Sequence, residues 1–205
     1  MKLITIVNLG ISNIKSIARG FSTQGYQVKI TDSPDDISSA NLLVLPGVGA
    51  FPRAMEIIEK NGILKPIKEY ALSGRPLLGI CLGMQLLFTE SEEHGITKGL
   101  DIIKGRVVKF PGDRPVPHMG WNEVIQTKES PIFHGIKNRA DFYFVHSYYV
   151  EPDSLGNEIA YSDHFGRFTV AVQDKNVFGT QFHPEKSQIN GLKLLKNFAE
   201  LGNIQ

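Results

Sequence analysis

The 205-residue sequence holds one cysteine, so it forms no internal disulfide and any thiol chemistry falls on Cys81. It lacks an apolar run approaching the roughly 20 residues that span a bilayer. Its first residues, MKLITIVNLG, reach Asn8 before a signal-peptide core has formed. A cytoplasmic protein with no membrane partner is expected. Charge of one sign is also scarce. Lys and Arg number 22 against 21 Asp and Glu, for a formal charge of +1 with no basic stripe. Nucleic acid is therefore not an expected partner. The six histidines show no His-x3-His spacing and have no cysteine pair beside them, which argues against a metal site. No Walker or GxGxxG pattern is present, so nucleotide binding is not expected, nor is any cofactor. Repeats, low-complexity tracts and linkers are missing too. With 41% apolar and 21% charged residues, the expectation is one domain over residues 1–205 with a sizeable core.

What is present centres on Arg75 to Thr89, RPLLGICLGMQLLFT. Residues 76–81 run apolar and extended, Gly79-Ile80-Cys81-Leu82-Gly83 follows, and Met84, Leu86, Leu87 and Phe88 resume with helix-like spacing. Strand, sharp turn and helix in that order make a nucleophile elbow, in which flanking glycines let the middle side chain project above the sheet. Cys81 is that side chain. A lone cysteine in an apolar strand is ordinarily a small buried hydrophobe. Against this, glycine costs a strand or helix roughly 0.5–1 kcal/mol that packing alone does not demand, and a helix start favours the nucleophilic thiolate.

Along the chain, residues 3–7 read as a strand, 13–24 as a helix with inner face Ile14, Ile17, Ala18 and Phe21, and 26–30 and 42–45 as strands. Residues 54–59 and 66–72 read as helices. Alternation of this kind implies a parallel sheet covered on both faces. Beyond about residue 100 come short strands at 107–110, 122–127, 142–150, 158–162, 169–173 and 177–182, an antiparallel succession closed by a helix through Leu192, Leu195, Lys196 and Ala199. Residues 110–120 hold Pro111, Pro115 and Pro117 and read as an exposed functional loop.

A cysteine nucleophile needs a base and a group that orients the base. Phe182-His183-Pro184-Glu185 offers both: in extended chain, residues two apart face the same side roughly 6.5–7 Å apart, and Pro184 favours extension at His183. The alternative is a surface histidine beside a carboxylate. Two N–H donors must also meet the developing oxyanion. Leu82 supplies one, and Pro46-Gly47-Val48-Gly49 either supplies the other, through Val48 or Gly49, or is an ordinary strand-to-helix turn.

Gly79 to Gly83 together with Thr180-Gln181-Phe182-His183-Pro184-Glu185-Lys186-Ser187 resembles the class I glutamine amidotransferases over nearly the whole chain. Within that class, Pro117-His118-Met119-Gly120-Trp121-Asn122 and Phe144-Val145-His146-Ser147-Tyr148-Tyr149 are similar to the glutaminase subunits of imidazole glycerol phosphate synthases. The resemblance implies an α/β, flavodoxin-like fold with a mostly parallel central sheet, helices on both faces and an antiparallel C-terminal strand portion. It implies a catalytic triad of Cys81, His183 and Glu185 working through a thioester. Gly49, Gln85, Ser147 and Tyr148 would hold glutamine, with Glu93 as the anion for its ammonium group. The ammonia product would pass to a separate cyclase subunit, faced by Asn13, His118, Met119, Trp121 and Lys186. The first turn departs from the family's common Asp-Tyr-Gly-x-Gly-Asn, reading Asn8-Leu9-Gly10-Ile11-Ser12-Asn13 with Asn13 kept. Two alternatives stand beside this reading: the glutaminase of another ammonia-channelling synthase, such as that for pyridoxal phosphate, and a non-catalytic regulatory binding module of the same fold.

Overall fold

Burial on both faces makes the segments over residues 43–47 and 77–81 read as continuous apolar strands, and the computed structural model places the strands of the first half together along one side of a 13-stranded sheet. The structure describes residues 2–11, 13–112 and 115–203. Ser12 of the first turn, residues 113–114 of the proline-rich loop, and positions 1, 204 and 205 of the expected domain lie outside them.

The elements run β1 (Leu3–Val7), α1 (Ile14–Ser22), β2 (Gln27–Thr31), α2 (Pro34–Ser39), β3 (Leu43–Gly47), α3 (Phe51–Lys60), α4 (Leu64–Leu72), β4 (Leu77–Cys81) and α5 (Leu82–Leu86). There follow β5 (Phe88–Ser91), β6 (Thr97–Lys98), β7 (Ile103–Lys109), β8 (His118–Gln126), β9 (Ala140–His146) and β10 (Tyr148–Pro152). Last come β11 (Glu158–Asp163), β12 (Arg167–Asp174), β13 (Val177–Thr180) and α6 (Gln188–Glu200). The principal strand order is β2-β1-β3-β4-β13-β12-β10-β7-β5-β6, and β11, β8 and β9 extend the sheet from β12.

β1 pairs in parallel with β2 and β3, β3 with β4, and β4 with β13. Most later pairings are antiparallel. Two layers cover the central strands. On one face Ile17 and Phe21 of α1 and Leu194, Leu195 and Phe198 of α6 pack with Ile4, Ile6, Leu78 and Ile80. On the other, Ile37, Phe51, Met55, Ile58, Ile67 and Tyr70 of α2, α3 and α4 pack with Val7, Leu43, Leu45 and Leu77.

Several expectations are corrected. The helix after Cys81 is only α5, because the backbone of Leu86 and Phe88 is taken up by Leu100 and Asp101, which draws Phe88 into β5. The expected strand over 142–150 is two strands broken at Ser147, since β9 pairs with β8 while β10 pairs with β7 and β12. The expected loop over 110–120 ends at Pro117. His118, Met119 and Gly120 belong to β8, where His118 pairs with His146. Helix α2 was not expected, although Ser33 caps it and Pro34 opens it.

Candidate active site

Cys81 sits where β4 turns into α5, with φ 55° and ψ −111°, a conformation that a non-glycine residue adopts only under constraint. The constraint is close packing. A Cβ on Gly79 would meet the Gly83 carbonyl at 2.7 Å, and one on Gly83 would overlap the Leu45 carbonyl oxygen. Glycine at both positions therefore lets α5 seat directly on β3 and β4. The elbow expected from the sequence is present, and it leaves Cys81 largely buried.

Sheet register brings the second half of the site to the first. β13 lies parallel to β4 with Thr180 opposite Ile80, so the chain leaving β13 passes Cys81. His183 keeps the extended conformation that Pro184 favours, φ −98° and ψ 97°. Glu185 then reaches it through the 3-10 turn Pro184–Lys186 rather than along a continuing strand, the arrangement that alternation predicts. His183 Nδ1 lies 2.8 Å from Glu185 Oε1, and both side chains are buried.

His183 Nε2 and Glu185 Oε2 are buried polar atoms without a hydrogen-bond partner among the described residues. Such orphans are rare and concentrate where chemistry needs them. Burial, the largest influence on His183, opposes its charging. The charge and proximity of Cys81, followed by Glu185, outweigh burial and push its pKa up to about 10. Thiol and imidazole are thus electrostatically coupled without a completed hydrogen bond, as catalytic pairs commonly are before substrate tightens them.

Beside Cys81 opens a cavity of about 470 Å³. Its wall contains Val48, Gly49, Leu82, Gln85, Glu93, Ser147 and Tyr148 together with Ala50, Pro117, Val145 and His146. The structure therefore gathers every residue expected at the oxyanion hole and the glutamine. Several of them already hold bonds within the chain: the Val48 N–H donates to the Ile11 carbonyl at 3.0 Å. Glu93 Oε2 accepts the Phe51 N–H at the start of α3, at 2.7 Å. Gln85 Nε2 donates to the Tyr148 carbonyl at 2.9 Å and to Gln181 Oε1 at 3.0 Å.

Gln181 and His146 were not singled out by the sequence reading. Gln181, wholly buried, brings its Nε2 to 3.7 Å from the Cys81 sulfur. Only its place in the motif before His183 pointed to it.

The expected partner face divides. Asn13, Met119, Trp121 and Lys186 are exposed. Trp121 meets the Tyr143 ring edge-on at 6.1 Å, and Lys186 Nζ lies 5.5 Å from the same ring. His118, expected on that face, is instead buried, because the alternation of β8 turns it inward to His146.

An elbow cysteine at a cavity, coupled to a buried histidine and carboxylate on a parallel sheet, is the arrangement that acyl transfer through a cysteine requires. The chain belongs to the class-I glutamine amidotransferase family, which matches residues 5–201. It is 48% identical over 206 residues to imidazole glycerol phosphate synthase subunit HisH of Syntrophotalea carbinolica, an alignment covering 97% of this chain and 100% of that one. It is 46% identical over 201 residues to the protein of the same name from Moorella thermoacetica, covering 98% and 96%. Among solved structures it superposes on a glutamine amidotransferase with TM-score 0.78 at 17% identity, covering 98% and 99% of the two chains. It superposes on PurLQS from Thermotoga maritima with TM-score 0.77 at 17% identity, covering 97% and 98%. Those two likenesses speak for the fold.

Proposed function

We propose that the chain, acting as one domain over residues 1–205, is the glutaminase subunit of an imidazole glycerol phosphate synthase. In this reading Cys81 attacks the side-chain amide carbon of glutamine. His183 carries the thiol proton to the departing ammonia, and Glu185 holds Nδ1 so that Nε2 faces the reacting atoms. Water then cleaves the glutamyl thioester to glutamate. Leu82 gives one N–H to the oxyanion, and the Val48-Gly49 turn gives the other once the Val48 N–H is freed from the Ile11 carbonyl. Gln85, Glu93, Ser147 and Tyr148 surround the amino-acid end of the substrate, and ammonia leaves for a cyclase subunit docked over Met119, Trp121 and Lys186, with Asn13 at its margin.

The observation that carries the proposal is that the Cys81 elbow lining the cavity is electrostatically coupled to the buried His183–Glu185 pair, in a chain so similar over its length to proteins named for that synthase. The test is glutamate release from glutamine by the purified chain, alone and with a cyclase partner and its ligand, with Cys81→Ser as control. Stimulation by the cyclase that vanishes in the variant supports the reading. Equal rates with and without the cyclase reject this partner, and no release under any condition rejects the enzyme.

A further inference from the structure

A buried pair of histidines that the assigned triad does not use runs inward from the cavity wall, to which His146 belongs. His118 Nδ1 and His146 Nε2 are 3.0 Å apart, on paired positions of β8 and β9. The two ends of this pair fix where every proton sits. At one end His146 Nδ1 lies 2.8 Å from the Tyr148 carbonyl, which only accepts, so Nδ1 carries the hydrogen. At the other, the Asn122 side-chain nitrogen lies 3.1 Å from His118 Nε2 and only donates. Asn122 cannot reverse its amide: its nitrogen also donates to the Asp163 carbonyl at 2.7 Å and its oxygen accepts the Glu123 N–H at 2.8 Å.

One arrangement satisfies all of these bonds. Asn122 donates to His118 Nε2, His118 Nδ1 donates to His146 Nε2, and His146 Nδ1 donates to Tyr148. Both rings are neutral. Burial, with the neighbouring His164 as a lesser cause, pulls His118 down to about 4, and burial is also the main cause that takes His146 to about 3.

The Tyr148 carbonyl is where this relay meets the cavity, because it also accepts from Gln85 Nε2. The second bond of that nitrogen goes to Gln181 Oε1. With both amide hydrogens held, Gln85 presents only its oxygen to a ligand, an acceptor suited to the N–H groups of an amino acid. Ser147 and Tyr148 of the cavity wall lie directly after His146, at the break between β9 and β10.

We propose that His146, oriented by His118 and Asn122, is a positioning residue for the glutamine site, fixing the Tyr148 carbonyl and through it the Gln85 amide. The proposal builds on the glutaminase reading above. It concerns binding of the amino acid more than the thioester chemistry, since neither histidine belongs to the triad.

The experiment is steady-state kinetics of the complex with its cyclase subunit, with glutamine and separately with added ammonia. His146→Asn keeps an amide nitrogen near the place of Nδ1, whereas His146→Gln puts its amide near the place of Nε2 and vacates the bond to Tyr148. For His146→Gln, KM for glutamine rises about tenfold, the effect of one lost buried hydrogen bond, while kcat changes less. For His146→Asn, KM stays close to wild type. Ammonia-dependent turnover is unchanged in both, which certifies folding and assembly. An unchanged KM in His146→Gln, or equal impairment of both variants, overturns the inference and leaves the glutaminase reading standing. If the wild-type complex uses ammonia but no glutamine, that reading falls and takes the inference with it.

Discussion

Val48 donates its backbone N–H to the carbonyl of Ile11 across 3.0 Å, tying the turn after β3 to the first-turn loop after β1. The bond points that N–H away from use as an oxyanion donor while Val48 itself lines the cavity. A missing oxyanion donor costs about 10²–10³-fold in rate. The isolated chain is therefore expected to release glutamate slowly, with stimulation of that order when a bound partner frees the Val48 N–H from Ile11. Stopped assays of glutamate with and without the cyclase subunit measure it. An isolated chain as fast as the complex would exclude this role for the Val48 bond.

The raised pKa of His183 makes two linked predictions. Its folded value is about 10 against an ordinary 6.5, so between these values the folded chain holds a proton that the unfolded chain has lost. The contribution to stability is complete below 6.5 and fades as pH climbs through about 10. Because Cys81 is the leading cause that raises this pKa, Cys81→Ala leaves burial unopposed except by Glu185. Imidazole NMR titration should then show His183 titrating lower than in wild type, and urea unfolding should lose its decline above neutral pH. A titration unmoved by Cys81→Ala would separate the two groups electrostatically.

How far the sequence carried depends on where each signal resides. Gly79, Cys81 and Gly83 encode their turn locally, and Pro184 encodes the extension of His183, so the elbow and the placing of His183 were legible. Helix α5 was overestimated because the pull on Phe88 comes from backbone near residue 101, which no local periodicity reports. Three prolines mark a loop and point to a surface position for His118, whereas pairing with His146 turns its side chain inward. The relay through Asn122, His118 and His146 depends on three strand positions meeting across a sheet. Composition and spacing carry no trace of that.

The elbow glycines give a prediction of opposite kind, about packing. Gly83 has no room for a methyl group against the Leu45 carbonyl, and α5, seated on the paired strands β3 and β4, cannot retreat without moving Cys81. Gly83→Ala is expected to cost about 1–3 kcal/mol, the usual range for overpacking, and to abolish glutamine use even where the variant folds. Denaturant unfolding gives the first number and glutamate release in the complex the second. Gly112, beside which an added Cβ meets nothing within 4 Å, is the control, and Gly112→Ala should leave stability nearly unchanged. Equal behaviour of the two variants would mean that the close approach at Gly83 has no consequence.

Trp121 is 49% exposed and Met119 61% exposed, on the strand whose alternate residue His118 is buried. Large apolar side chains at half exposure are the usual anchors of protein interfaces, and truncating such a residue commonly costs at least about 2 kcal/mol of binding. Trp121→Ala is therefore expected to weaken association with the cyclase subunit by about 30-fold or more, as read by titration calorimetry, with little change in melting temperature. His118→Ala should behave in reverse, because it empties a buried site among Phe110, Phe144 and Phe168. Its main effect should be a lowered melting temperature. Wild-type affinity in Trp121→Ala would move the docking surface to another face of the sheet.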